Sequence, residues 1–313
     1  MAINDGLTIS VRELFQLFPG EGDARKYIES RIWPNGPVCP YCGGKGRVSE
    51  RASERRKGFY RCAACRKDFS CLKGTLFEAS KIPLDKWIHG MYLLLTARKG
   101  ISSMQLSKEL SISQPAAWFL LHRLREACGN DMQTLRGTVE IDETFIGGKE
   151  KNRHKNAKMK LGTGYVGKTA VLGMREVGGR TKVMPVDSIG KTTLDPIIRE
   201  NIEAGSTIHT DEHPAYESIR DAYRHRTISH KDGVYHDAQR DVGTNGIESV
   251  WAVLKRGLHG VYHHVSDKHL ARYVNEFAFR LNDGNVKTHV LLRMNALVDQ
   301  CVGKRLTYQA LTA

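Results

Sequence analysis

Between Leu84 and Arg98 the apolar residues Leu84, Trp87, Ile88, Met91 and Leu95 recur at the spacing of one helical face. Lys99-Gly100 ends this helix. Ser102 can cap a second helix bearing Leu106 and Leu110. After a break at Ser111-Ile112-Ser113, a third runs from about Gln114 to Ala127, with Ser113 as N-cap and Pro115 in its first turn. Short helix, tight turn and helix with a polar start is the plan of a helix-turn-helix, and equally of an ordinary three-helix bundle.

Further on the period changes from helical to two. Gly137–Gly148 alternates and is rich in β-branched residues, so it reads as a strand. Val139, Ile141 and Glu143 fall on one of its faces, and Glu140, Asp142 and Thr144 on the other. Two more strands, Thr169 to Val177 and Thr181 to Asp187, are joined by a hairpin at Gly178-Gly179-Arg180. A helix from about Thr192 to Glu203, a strand Ser206 to Asp211, a short helix Tyr216 to Tyr223 and a strand Arg226 to His230 complete the run. Three hairpin-type strands, helix, strand, helix, strand is an RNase H-like order. The fold class expected is therefore α/β, with an RNase H-like mixed-sheet core behind a small cysteine-rich ribbon and the helix-turn-helix. From Asn245 to Gly257 another helix carries the stripe Ile247, Val250, Trp251 and Leu254, with Glu248, Ala252 and Lys255 along a different face.

Charge adds a partner to this outline. The 313 residues hold 48 Lys+Arg against 34 Asp+Glu, a formal charge of +14. Residues 1–137 hold 22 basic and 13 acidic residues. Such a balance favours a polyanion. Length points to two or three domains, and 40% hydrophobic residues with a mean hydropathy of −0.42 describe a globular chain. The longest apolar run, about Met91 to Ala97, is too short to span a membrane. Residues 1–20 contain Asp5 and Glu13 and lack a signal-like block. Seven cysteines, an odd number, speak for a reducing compartment. The expected location is cytoplasmic, on the nucleoid.

Five of those cysteines lie between positions 39 and 71. Cys39-Pro-Tyr-Cys42 and, 19 residues later, Cys62-Ala-Ala-Cys65 form two knuckles with the spacing of a four-thiolate Zn²⁺ site. Closed sites of this kind are structural. Disulfides or free thiols are the alternatives, and Cys71 reads as a small buried residue. Lys45–Lys67 carries nine basic and two acidic residues around Phe59 and Tyr60, which suits a ribbon lying on phosphates or a merely solvated face. In the helix-turn-helix reading, Gln114, Ala117, His122 and Arg123 lie near the DNA groove. The chain then divides into N-terminal helices and zinc ribbon (1–75), helix-turn-helix (76–136), RNase H-like domain (137–285) and a C-terminal tail (286–313).

Three carboxylates carry the candidate chemistry. Asp142 and Asp211 sit on strands that this order makes neighbours, and Glu248 lies on a helix packed beside them. Two divalent cations about 3.5–4 Å apart can activate an attacking oxygen and stabilise a leaving one in phosphodiester cleavage. Mg²⁺ or Mn²⁺ would be held by few carboxylates plus substrate phosphates. Each acid also has a plain reading: a solvated strand residue for Asp142, a turn before Pro214 for Asp211, and a capping box of Asn245 with Glu248. Lys149–Lys160 holds six basic residues and one acid. It reads as a loop beside Asp142 in which Lys149, Lys151, Arg153 and Lys155 grip phosphate, or as a solvated loop. His259, His263, His264 and His269 follow the Glu248 helix, where packing and capping suit them better than a second zinc.

The same motifs make the chain recognisable. Cys39-Pro-Tyr-Cys42 with Tyr60-Arg-Cys-Ala-Ala-Cys65, Glu140-Ile-Asp-Glu-Thr-Phe145, Val166-Gly-Lys-Thr-Ala-Val171, His209-Thr-Asp-Glu-His213 with Tyr216, Asn245-Gly-Ile-Glu-Ser-Val-Trp251 with Lys255-Arg256-Gly257, and Arg272-Tyr-Val-Asn-Glu-Phe277 with Arg280 together resemble bacterial DDE transposases of insertion sequences. The resemblance is to the ISXO-two-like group, related to the eukaryotic Merlin elements, and covers about Phe18 to Asn282. It implies that Asp142 and Asp211 are the first two catalytic acids. Glu248 is the favoured third, with Asn245 as accessory and either able to reach the metal. It also implies that Lys255 and Arg256 touch DNA. The partners implied are terminal inverted repeats and target DNA, bound by a homodimer or higher oligomer that cuts the element's end and joins its 3′-OH to the target. A DNA-binding regulator with a non-cutting core, or a nuclease without strand transfer, are the competing functions.

Overall fold

The structure, a computed structural model, describes residues 7–44, 47–51, 53, 57–129, 132–148, 167–228, 236–237 and 242–313. The chain forms two compact units, Met1–Asn130 with Asp283–Ala313, and Asp131–Asn282.

The first unit begins with α1 (Val11–Leu17) and α2 (Glu21–Ile32). A three-stranded antiparallel ribbon follows, built from β1 (Val48–Glu50), β2 (Tyr60–Cys62) and β3 (Asp68–Phe69). Then come α3 (Leu84–Thr96), α4 (Ser103–Leu110) and α5 (Gln114–Cys128), within a residue or two of the bounds that the apolar spacing predicts. The expected caps are present. Ser102 Oγ accepts the Gln105 N–H at 3.1 Å, and Ser113 Oγ accepts the Ala116 N–H at 3.4 Å.

The second unit contains β4 (Thr138–Ile146), β5 (Thr169–Glu176), β6 (Thr181–Val186), α6 (Lys191–Asn201), β7 (Thr207–Thr210), a 3₁₀ helix (Pro214–Asp221), β8 (Arg224–Thr227), a small ladder of β9 (His236–Asp237) with β10 (Val242–Gly243), α7 (Asn245–Gly257) and α8 (Asp267–Leu281). Its five-stranded sheet has the order β6-β5-β4-β7-β8. β4, β5 and β6 pair antiparallel, β5 and β6 through a tight turn at 177–180, and β7 and β8 join parallel through helical crossovers. This is the RNase H-like mixed sheet that the element order predicts. Alternation sends Val139, Ile141, Leu172 and Met174 to one face, under Leu194, Ile198, Tyr216 and Ile219. Val171 and Val183 go to the other face, under Ile247, Trp251, Leu254, Val274 and Phe277 of α7 and α8. β8 lies two residues before the predicted strand, and the short helix before it is 3₁₀, with Pro214 fixing its first turn.

One expectation is overturned in the first unit. Residues 286–313 are no tail: α9 (Val290–Asp299) and α10 (Tyr308–Thr312) complete that unit. Val290, Met294, Leu297 and Val298 are buried at helical spacing. Arg293 donates to the Leu95 carbonyl at 2.8 Å, and Tyr27 donates to Asn295 Oδ1 at 2.7 Å.

Candidate functional site

The register of the sheet builds the carboxylate site. β4 and β7 are parallel, with Val139 opposite Ile208 and Glu140 opposite His209. Two further residues along this register, Asp142 in the middle of β4 comes beside Asp211, which lies just past the C-terminal end of β7. That is the edge where open α/β sheets place their ligands. Asp211 Oδ1 also accepts the His213 N–H at 2.9 Å, so the predicted turn before Pro214 exists and involves the same side chain. α7 lies over the Asp142 face and delivers Glu248, whose charge is felt at Asp142.

Asp142 is held by a contact that the sequence reading missed: Trp251 Nε1 donates to its Oδ2 at 2.7 Å. Trp251 reads as core from its place in the apolar stripe, and its N–H requires a partner when buried. Gly173, the cross-strand partner of Asp142, makes the approach possible. A Cβ there would stand 2.6 Å from two atoms of the indole.

The capping box does not form. Thr244 is the N-cap of α7, without a side-chain capping bond, so Asn245 is the first helical residue and Glu248 the fourth. The first turn is satisfied from the sheet instead. Glu140 Oε2 accepts the Ile247 N–H at 2.6 Å, and Arg175 Nη1 donates to the Gly246 carbonyl at 2.7 Å. Glu248 is thus released from a capping role.

Burial pushes the Asp142 carboxyl up to about 6, with Glu248 and Asp211 adding repulsion and the Trp251 N–H opposing. Burial also pushes Glu143 up to about 7, against the hydrogen bond from Tyr216, with Asp142 and Asp211 again adding repulsion. Glu143 points to the opposite face from Asp142, as alternation requires, yet belongs to the same electrostatic cluster. Crowded acids that resist ionisation are what a bound divalent cation relieves, so these residues fit Mg²⁺ or Mn²⁺.

A pH dependence follows. Both acids are raised above their unfolded-state values, so between about pH 4 and 7 the folded protein binds more protons than the unfolded chain. Their contribution to stability is present below that window and is lost as pH rises through about 6 and 7. In denaturant titrations without divalent cations, wild type loses a few kcal/mol more between pH 5 and 7.5 than Asp142→Asn/Glu143→Gln does. Equal slopes for the two proteins would contradict this electrostatic account.

The zinc ribbon has its own site. The sulfurs of Cys39, Cys42, Cys62 and Cys65 all lie within 4.8 Å of one another. The Cys39–Cys65 and Cys42–Cys62 separations are 3.6 and 3.7 Å. A tetrahedron with zinc–sulfur bonds of about 2.3 Å has edges of about 3.8 Å, so the donor set fits Zn²⁺. All seven cysteines are free, which removes the disulfide alternative, and Cys71 is buried as expected. Among the described residues no other His, Cys, Asp or Glu form such a tight group, the four histidines after α7 included. The three carboxylates are more open than the thiolates.

The expected DNA contacts divide. Lys255 and Arg256 are exposed at the end of α7, and Gln114 is half-buried at the start of α5, where its amide donates to Ser103 Oγ at 2.9 Å. His122 and Arg123, expected near the groove, cannot reach it: they are 0% and 6% exposed. His122 packs on Trp118, and the Arg123 guanidinium lies 4.3 Å from the Phe119 ring centroid. The C-terminal segment packs along this half of α5. Tyr308 packs on Trp118 and Phe119, and Lys304 Nζ binds the Glu126 carbonyl at 2.9 Å. Ala117 is buried as well. Lys149, Lys151, Arg153 and Lys155 lie outside the described residues.

Comparison with known proteins matches both parts of the chain. Residues 134–282 match the ISXO2-like transposase domain, and residues 19–68 match the transposase zinc-ribbon domain, together nearly two thirds of the chain. An uncharacterized protein in transposable element ISH50 of Halobacterium salinarum is 27% identical over 84% of this chain and 91% of its own. An uncharacterized transposase-like protein of Haemophilus influenzae is 28% identical over 34% of this chain and 83% of its own. Among solved structures, a chain of a pre-cleavage Mos1 transpososome aligns at 13% identity over 69% of this chain and 79% of its own, with a TM-score of 0.22. A likeness that loose carries no weight for fold or function. Among the described residues no helix is long and apolar enough to cross a membrane.

Proposed function

Because the chain belongs to the ISXO2-like insertion-sequence transposases, we propose that its RNase H-like unit cuts DNA at the ends of its element and joins the freed strand to a target. Asp142, Asp211 and Glu248 are the catalytic carboxylates. The observation that carries this reading is the register of β4 against β7, which brings Asp142 beside Asp211, together with the charge of Glu248 felt at Asp142. Asn245, exposed in the first turn of α7, is an accessory that can face the same ligands. Mg²⁺ or Mn²⁺ held by these acids would polarise the scissile phosphate and offset the charge on the attacking and leaving oxygens.

The chain's own groups prepare that event. The Trp251 N–H orients Asp142, and the Tyr216 hydroxyl orients Glu143 behind it. Lys255 and Arg256, one to two turns beyond Glu248, meet the phosphate backbone, and Lys149, Lys151, Arg153 and Lys155 add a grip after β4. The basic zinc ribbon and the α4–α5 pair, through Gln114, bind the terminal repeats of double-stranded DNA. Hydrolysis at the element's end leaves a 3′-OH, and that hydroxyl attacks a target phosphodiester while the target's own 3′ oxygen leaves. Two ends must be held together for joining, which calls for a dimer or higher oligomer on DNA.

The test is cleavage of a labelled duplex that carries the element's own terminal repeat. The expected product is a single cut at the repeat's end with a 3′-OH, formed only when Mg²⁺ or Mn²⁺ is added. Binding without cutting in either ion would return the protein to a DNA-binding regulator.

A further inference from the structure

The first turn of α7 is secured by two residues that no catalytic role explains. Glu140 and Arg175 are cross-strand partners on β4 and β5. Glu140 is 7% exposed, and its Oε2 takes the Ile247 N–H at 2.6 Å. Arg175 Nη1 reaches the Gly246 carbonyl at 2.7 Å and Ser249 Oγ at 2.8 Å. One residue therefore holds an amide and the other a carbonyl of the same helical turn. The helix has no side-chain cap of its own at Thr244, so this hold replaces one. Gly246 is shaped to it: a Cβ there would lie 2.5 Å from Glu140 Oε2. A carboxylate on a helix N-terminus also meets the positive end of the helix dipole.

Glu248 is the residue immediately after Ile247, and Asp142 is two residues after Glu140. The same strand therefore presents one catalytic acid and grips the turn that presents another. A second bond, donated by Trp251 Nε1 one turn further along α7 to Asp142 Oδ2, fixes the helix's rotation on the sheet. We infer that Glu140 and Arg175 are positioning residues: they set the height and rotation of α7 so that Glu248 faces Asp142, and they act on the chemistry through the helix without touching DNA. This inference rests on the reading of Glu248 as the third carboxylate. Groups that hold metal ligands in place commonly govern affinity by tenfold or more when removed.

The test compares Glu140→Ala, Glu140→Gln, Arg175→Met and Glu248→Gln in the full-length protein, well below each melting temperature. Mn²⁺ binding is measured by electron paramagnetic resonance without DNA, and the Mg²⁺ concentration for half-maximal cleavage is measured separately. Positioning predicts that Glu140→Ala and Arg175→Met each weaken Mn²⁺ binding by about tenfold and raise the Mg²⁺ requirement in parallel. Glu140→Gln, which still offers an oxygen to the Ile247 N–H, restores most of both. A purely structural cap predicts lower melting temperatures with unchanged Mn²⁺ affinity and Mg²⁺ requirement, and that result overturns the inference. If Glu140→Ala does not fold, Glu140→Gln and Arg175→Met decide: normal Mn²⁺ affinity in Arg175→Met overturns it. If Glu248→Gln itself leaves Mn²⁺ affinity unchanged, the reading of Glu248 fails. If it weakens affinity while Arg175→Met does not, the positioning inference alone fails.

Discussion

Glu248→Gln gives a folded, DNA-binding protein whose Mg²⁺-dependent cleavage falls by orders of magnitude. The substitution keeps the side chain's size and removes its charge, so the loss is that of a metal-binding carboxylate. Stability is no obstacle. Glu248 is the fourth residue of α7 and caps nothing, and its charge adds to the repulsion that raises Asp142. The variant should therefore melt at or slightly above the wild-type temperature. Asp142→Asn and Asp211→Asn should be equally inactive and equally well folded. Asn245→Ala is the informative companion. In a capping box it would cost about 1 kcal/mol, but exposed in the first turn it should cost no more than a few tenths. Near-normal cleavage by Glu248→Gln beside a folded but inactive Asn245→Ala would move the third role to Asn245.

Removal of zinc has the second large effect. The ribbon's strands are two or three residues long, and its core is little more than Trp33, Tyr60 and Phe69 around the buried Cys39 and Cys62. So small a core cannot hold the strands together, and metal binding supplies the folding free energy, on the order of 10 kcal/mol in comparable four-ligand sites. Purified protein should contain about one zinc per chain. Chelation, or Cys62→Ser, should unfold residues 37 to 70 and abolish binding to the terminal repeat. Near-ultraviolet circular dichroism would follow the loss of the edge-on packing of Trp33 on Tyr60 and Phe69. Absence of zinc from folded protein, or a disulfide at Cys39 or Cys42, would contradict this.

Local patterns were legible wherever they carried their own signal. The period-two run around Asp142 gave the central strand, and the pair of C-x-x-C knuckles gave a tetrahedral thiolate cage. The serine caps gave α4 and α5. What was illegible depended on contacts distant in sequence. His122 and Arg123 have polar side chains on a helix expected to face DNA, yet both are buried, and Tyr308 of α10, far along the chain, packs on their neighbours Trp118 and Phe119. The C-terminal segment was itself readable, since Val290, Met294, Leu297 and Val298 keep helical spacing. Asn245 and Glu248 satisfy the capping-box pattern in sequence. The fold starts the helix one residue earlier and satisfies its amide from Glu140, more than a hundred residues away. Gly173 and Gly246 look like breaks in a strand and a helix, whereas each is the space that a partner side chain occupies.

The proposed carboxylate site both cuts and joins DNA. The most direct measurement incubates the protein and Mg²⁺ with a duplex whose terminal repeat already ends in a 3′-OH, together with a supercoiled plasmid. The predicted result is a covalent product in which the repeat's 3′ end is bonded to a plasmid 5′ phosphate, absent with Asp142→Asn. Cutting of the uncleaved repeat without any joined product, under conditions where the ends are bound, would contradict the claim and leave a nuclease.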